Sequence, residues 1–182
     1  MQPGIINAEA LFPRKEGVCS MQIETVRFGQ VEVDETKLIT FSEGIPGLEE
    51  YREYALLQFE ESYPIIWLQS TEEGGVCLPV LDTFAVLTGY VFDIDDADVR
   101  ELELKGPEEL HVVSVLVIPE DIQGMTANLA APIIINTSQG KAKQIMLTGS
   151  EYNVRAPVFK DIYNAVNREG GDGDAGTVTE AK

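Results

Sequence analysis

"ELHVVSVLVIP", Glu109–Pro119, is the stretch on which the fold turns. It is short, rich in Val, and closed by Pro119, which has no N–H to give to a ladder. A β-branched run of this length reads as a strand rather than a helix. Working outward, the same signal recurs between turn residues. "MQIETVRF" (21–28) alternates through Met21, Ile23 and Thr25, with Val26 and Phe28 close behind, and Gly29-Gln30 turns it back into "VEV" (31–33). "KLITF" (37–41) leads into the tight "SEGIPGLEEY" (42–51). "YALLQF" (54–59) and "PIIWLQS" (64–70), joined by "EESY", read as a hairpin. "VCLPVL" (76–81), "AVLTGYVF" (85–92), "PIIIN" (132–136) and "KQIML" (143–147) complete nine or ten short strands.

Helical signals are few. "GLEEYRE" (47–53) predicts a short turn of helix. "DIDDADVRELEL" (93–104) offers Asp95 or Asp96 as N-cap, with acids in its first turn. "VFKDIYNAV" (158–166) spaces Val158, Ile162 and Val166 four apart, a helical stripe. Many strands and few helices predict an all-β, mainly antiparallel domain. The expected form is a small β-barrel-like or sandwich domain with one to three short peripheral helices.

The stretch "MTANLAAPIIIN" (125–136) is apolar, yet Thr126, Asn128 and Pro132 interrupt it. It falls short of the ~18 apolar residues of a spanning helix. "PIIIN" reads as a core strand entered through Pro132. "MTANLAA" reads as its approach, with Thr126 and Asn128 satisfying backbone groups and Ala130 and Ala131 allowing close packing.

The ends differ from the middle. Residues 1–20 lack periodicity and carry Pro3 and Pro13, which invites reading Met21 as the natural start and 1–20 as an extension. Residues 168–182 are Gly- and Asp-rich with little to bury, and are expected to be a disordered acidic tail. A single domain is expected over 21–167. The first residues carry no basic stretch followed by an unbroken apolar one, so no signal peptide is read there.

The chain has 31 Asp plus Glu against 13 Lys plus Arg, a net charge of −18 over 182 residues. Such a chain repels phosphate backbones, which argues against direct nucleic-acid binding. It would steer towards a basic protein. The charge is uneven. Residues 93–109 carry net −6, residues 43–61 net −5, and residues 141–160 net +3. The bland reading is ordinary solvated faces; the functional one is two docking surfaces of opposite sign.

Catalytic chemistry finds little support. His111 is the one histidine, at the head of a strand, where a structural role is the usual one. Cys19 and Cys77 are far apart and form no metal-ligand pattern or disulfide framework, so a reducing cytoplasm is the default. Cys77 reads as a small buried hydrophobe. A calcium loop starting at Asp93 would place Ala97 fifth, Asp98 sixth and Leu104 twelfth, which fails the EF-hand pattern. No phosphate loop or GxSxG elbow occurs. No cofactor or metal is expected, and no enzyme. The competing class is a small-ligand-binding β-barrel with Trp67, Tyr63 and Tyr90 lining a pocket.

"TANLAAPIIIN", "KAKQIML", "YNVRAPVF", "FSEGIPGLEEY" and "PIIWLQS" together resemble the flagellar assembly factor FliW family. The resemblance runs from about Met21 to Phe159. Two departures stand out: "NTSQGKAKQIML" replaces a stretch often more basic in the family, and Ala156 stands where relatives often carry His. The family implies a small cytoplasmic β-barrel-like protein without enzymatic activity. It implies two partners, flagellin and the carbon-storage regulator CsrA, a basic RNA-binding repressor of flagellin translation. Flagellin occupies the protein while it accumulates; once flagellin is exported, the freed protein antagonises the repressor. The residues expected to meet partners are Glu43, Ile45, Pro46, Glu49 and Glu50 of the "SEGIPGLEE" loop, with Asp93, Asp95, Asp96, Asp98 and Glu101. A monomer is expected, without membrane contact.

Overall fold

The computed structural model describes residues 5–7 and 19–169. Their strands are β1 (Ile5–Asn7), β2 (Ser20–Thr25), β3 (Gly29–Asp34), β4 (Ile39–Phe41), β5 (Glu53–Phe59), β6 (Ile65–Ser70) and β7 (Cys77–Asp82). The chain continues with β8 (Leu110–Val117), β9 (Thr126–Ala127), β10 (Ile133–Asn136), β11 (Lys141–Gln144) and β12 (Ala156–Pro157). The helices are α1 (Thr83–Val86), α2 (Asp96–Glu101) and α3 (Phe159–Glu169). The expected tail 168–182 overlaps the end of α3, and residues 170–182 lie outside the described residues.

Strands β10, β11, β4, β5, β6, β7 and β8 pair in that order, and β8 pairs back to β10. The sheet is thereby a closed barrel of seven strands. Its pairs are antiparallel except one: β11 runs parallel to β4, through Lys141–Thr40 and Ala142–Phe41. The barrel resolves the choice between barrel and sandwich and makes the sheet mixed. β9 and β12 extend β8 at one end, and β1 lies along Leu57–Phe59 of β5, beyond the reach of β4.

Strand alternation explains the apolar runs, because both faces are covered. Ile39, Phe41, Tyr54, Leu56, Ile66, Leu68, Val80, Val113, Ile133 and Ile135 fill the barrel. Their neighbours Ala55, Leu57, Phe59 and Trp67 point outward, under the β2–β3 hairpin with Ile23, Val31 and Val33. On the opposite outer face Leu81, Val112, Leu116 and Ile134 pack under the helices with Val86, Leu102, Val158 and Ile162. "PIIIN" is therefore buried on both sides: Ile133 and Ile135 face in and Ile134 faces the helices. Its ladder starts at Ile133, one residue after Pro132.

Several expectations fail locally. "AVLTGYVF" is not a strand. The Asp82 carboxylate accepts from Ala85 N at 3.1 Å and starts α1, and Gly89 at φ +92° then redirects the chain. "GLEEYRE" is not a helix, because Gly44 (φ +79°) and Gly47 (φ +87°) wind residues 44–50 into successive turns. The β2–β3 turn is centred on Val26–Phe28, so Gly29 already begins β3. "KQIML" is ladder only to Gln144, although Ile145 N and Leu147 N continue it to Pro132 O and Ala130 O. Asn128 does satisfy a backbone group, accepting from Ala131 N at 3.1 Å, whereas Thr126 belongs to β9.

Candidate protein-docking site

The loop that follows β4 lies at one end of the barrel and packs Ile45 into its core. Gly44 is required there: a Cβ on it would lie 2.6 Å from Glu49 Cα. The turn drives Ile45 into the barrel core, 4% exposed, and Leu48 N returns a hydrogen bond of 2.7 Å to Ile45 O. Gly47 N donates to Glu49 Oε1 at 2.8 Å, which holds that carboxyl below its ordinary range. The Arg52 guanidinium donates to Ser42 O and ties the loop's two ends. Pro46, Glu43, Glu49 and Glu50 stay exposed on its outer side.

Between this loop and the segment Gln144–Met146 lies a groove of about 340 Å³. Its floor is apolar: Ile45, Leu48, Leu78, Val115 and Ala131. Met146 stands at its lip, 74% exposed. A second hollow of about 230 Å³ continues it between Glu43, Glu49, Lys143 and Gln144. Of the predicted loop residues, Glu43, Ile45, Pro46 and Glu49 thus line two adjoining hollows that share Pro46 and Gln144, and Glu50 lines neither. Leu78, Val115, Ala131, Gln144 and Met146 were not anticipated; the pleat period puts Ala142, Gln144 and Met146 on one face, but only closure of the barrel gives that face a mouth.

The second predicted group, on α2, lies next to it. Asp95 caps the helix by accepting from Ala97 N and Asp98 N, both at 2.9 Å, which holds its carboxyl low. Lys143 Nζ lies 2.8 Å from Asp98 and 2.6 Å from Glu101, and these hydrogen bonds push its pKa up. Glu101 is held low first by Lys143 and then by the Ser42 hydroxyl, which donates at 2.5 Å. Lys141 pairs with Glu103 at 2.9 Å. The expected pair of oppositely charged surfaces therefore does not form: two lysines of the basic stretch neutralise acids of the acidic stretch. Asp93 and Asp96 remain exposed, so part of the negative charge of this stretch stays free.

His111 lies on the pleat face of Val113, and burial lowers its pKa. Burial pushes the half-buried Cys77 thiol up to about 11, so it is not a thiolate at neutral pH. Among the described residues no three His, Cys, Asp or Glu side chains group as metal ligands, and no helix is long and apolar enough to cross a membrane. Trp67, Tyr63 and Tyr90, expected to line one pocket, lie in three different places. Trp67 is covered by the hairpin with Arg27 stacked 3.9 Å over its ring; Tyr90 is under the helices, donating to Leu129 O; Tyr63 is in the β5–β6 turn. The barrel interior is filled with side chains.

Comparison with known proteins agrees with this architecture. The family profile described as "FliW protein" matches residues 22–158. A flagellar assembly factor FliW of Thermosipho africanus is 38% identical over 130 residues, covering 71% of this chain and 90% of its own. Another, of Thermoanaerobacter pseudethanolicus, is 36% identical over 146 residues, covering 80% and 97%. A crystal structure of the flagellar assembly factor FliW superposes with a TM-score of 0.69 at 30% identity, covering 76% of this chain and 96% of that one.

Proposed function

Because the chain belongs to the FliW family of flagellar assembly factors, we propose that it is a non-enzymatic, cytoplasmic regulator of flagellin supply. In this reading it binds flagellin. When free of flagellin, it binds the carbon-storage regulator CsrA and relieves repression of flagellin synthesis. The observation that carries the reading is the cleft at the barrel mouth. It has an apolar floor and carboxylates along its wall, the make-up of a surface for a protein segment that is apolar and basic. A protein of net charge −18 would draw in a basic regulator and repel the RNA that the regulator holds. Two partners that exclude each other either share this cleft or favour different states of the protein.

The test is a titration of the purified chain against flagellin, against the regulator, and against both together. Binding to each, with loss of one on adding the other, is the expected result. Failure to bind either would overturn the reading, and simultaneous binding without interference would remove the switch while leaving flagellin binding intact.

A further inference from the structure

The edge of Gln144–Met146 has an unusual position for a closed barrel. Ile145 N and Leu147 N donate to Pro132 O and Ala130 O, both at 2.9 Å, so the odd-numbered amides of this strand turn towards the β10 side. Alternation turns the amides and carbonyls of Gln144 and Met146 the other way. On that side β4 pairs only with Lys141 and Ala142, and by Ser42 it has left the sheet. What faces Gln144 and Met146 instead is the cleft, with the loop Ser42–Glu49 as its far wall.

We infer that Gln144–Met146 is a strand-addition site for an extended protein segment that alternates apolar with basic residues. The inference rests on the partner-binding reading above for the class of occupant, and adds the mode of capture. Three features specify the segment. The bare edge offers main-chain hydrogen bonds, the usual source of affinity in strand addition. The groove of about 340 Å³ beside it is open and apolar, with room for one or two aliphatic side chains rather than an enclosed ligand. Glu43 and Glu49 stand on the facing wall, exposed, where Lys or Arg of the incoming strand would meet them. A second copy of this chain is disfavoured as occupant by the same charge, since it would bring another −18 against the acidic wall.

The test uses the full chain, labelled with 15N and with 13C in the Leu and Val methyls, and a blocked heptapeptide of alternating sequence, acetyl-Lys-Val-Lys-Leu-Lys-Val-Lys-amide. The expected result is amide shifts at Gln144 and Met146 and shifts in the methyls of Leu78 and Val115. N-methylating the alternate residues that face the edge should weaken binding about tenfold, roughly two lost hydrogen bonds, while N-methylating the other set should not. A peptide with Glu in place of Lys should not bind. Met146→Pro, checked for folding by circular dichroism, should weaken the parent peptide similarly. Shifts confined to other surfaces, indifference to N-methylation, equal binding of the Glu peptide, or concentration-dependent pairing of the chain through this edge would each overturn the inference. Peptide binding at the edge with no binding of flagellin or the regulator would sink the functional reading alone. Binding of both proteins, unaffected by Met146→Pro and by competing peptide, would sink the edge alone.

Discussion

Lys143 Nζ lies 2.6 Å from Glu101 Oε2, and this contact fastens α2 to the barrel wall beside the docking cleft. It joins two segments whose opposite charges look, in the linear chain, like separate surfaces. Asp98 completes the cluster at 2.8 Å. All three side chains are partly exposed, so water screens the pair strongly. Lys143→Met should therefore cost only about 0.5–1 kcal/mol at neutral pH. The loss should be largest at low salt, where Asp98 and Glu101 repel each other unshielded. Glu101 has a lowered folded pKa, so its contribution is present above the ordinary glutamate range and fades as pH falls through the folded value. Thermal melts from pH 7 to pH 3 should show a shallower acid decline in Lys143→Met than in the parent; an identical slope would refute the assignment.

Asn136 closes "PIIIN" and is fully buried. Its Nδ2 donates to Leu102 O at 2.9 Å and Glu103 O at 3.1 Å, and its Oδ1 accepts from Ser138 N and Gln139 N. One amide thus satisfies the end of α2 and the β10–β11 turn. Asn136→Ala should cost about 2–3 kcal/mol, because several buried backbone groups lose their partner together. Asn136→Asp keeps the acceptor but sets an anion against two carbonyls; part of its loss should return on acidification, when the protonated carboxyl regains a donor. Denaturant titrations at pH 7 and pH 5 measure both effects.

Two glycines of the loop separate strain from crowding. Gly44 and Gly47 both have positive φ, but only at Gly44 would a Cβ meet backbone, at 2.6 Å from Glu49 Cα; at Gly47 it meets nothing within 4 Å. Gly47→Ala should cost about 1 kcal/mol, the left-handed penalty. Gly44→Ala should cost clearly more and should also weaken partner binding, because Ile45 and Glu49 must shift. Equal melting temperatures for the two variants would contradict this account of the loop.

Charge reversal separates steering acids from structural ones. Lysine at Glu43, Glu49, Glu50, Asp93 and Asp96 should slow association with the basic regulator roughly tenfold at low salt and flatten its salt dependence. Reversal at Asp98 or Glu101 should act less through steering, since Lys143 already cancels much of their field, and more through stability. Stopped-flow association rates over a salt series distinguish the two groups.

His111 makes a second pH contribution. Burial lowers its pKa, with the nearby Asp82 charge opposing the shift. The unfolded chain then takes up its proton first. Stability is present above the ordinary histidine range and declines as pH falls through it towards the lowered folded value. His111→Leu should flatten the melting temperature between pH 7.5 and pH 5.5. A parent protein already flat over that window would exclude the effect.

Much of the fold can be read locally, and the reason is period. "ELHVVSVLVIP", "YALLQF", "PIIWLQS" and "PIIIN" are strands wherever they are placed, because their β-branched and aromatic residues fit a pleat covered on both faces. The Asp95 cap and the α3 stripe are likewise local events. "AVLTGYVF" misleads because its apolar residues serve a four-residue helix and a loop that pack on the barrel from outside, a use that alternation does not encode. "GLEEYRE" misleads because two positive-φ glycines outweigh a favourable helical composition.

The candidate site divides along the same line. Most of the strands, the acidic balance, the glycine-built turn and the family to which the motifs point are legible in the linear chain, because each depends on neighbouring residues or on composition. Tertiary structure alone decided that the barrel closes, since the β8–β10 and β4–β11 pairs join residues far apart in the chain. It alone decided which charges stay free, because cancellation depends on distance: Lys143 reaches Asp98 and Glu101 only after β11 is laid beside α2. The same closure leaves β4 two residues short of its neighbour and turns Gln144 and Met146 towards an open, apolar mouth.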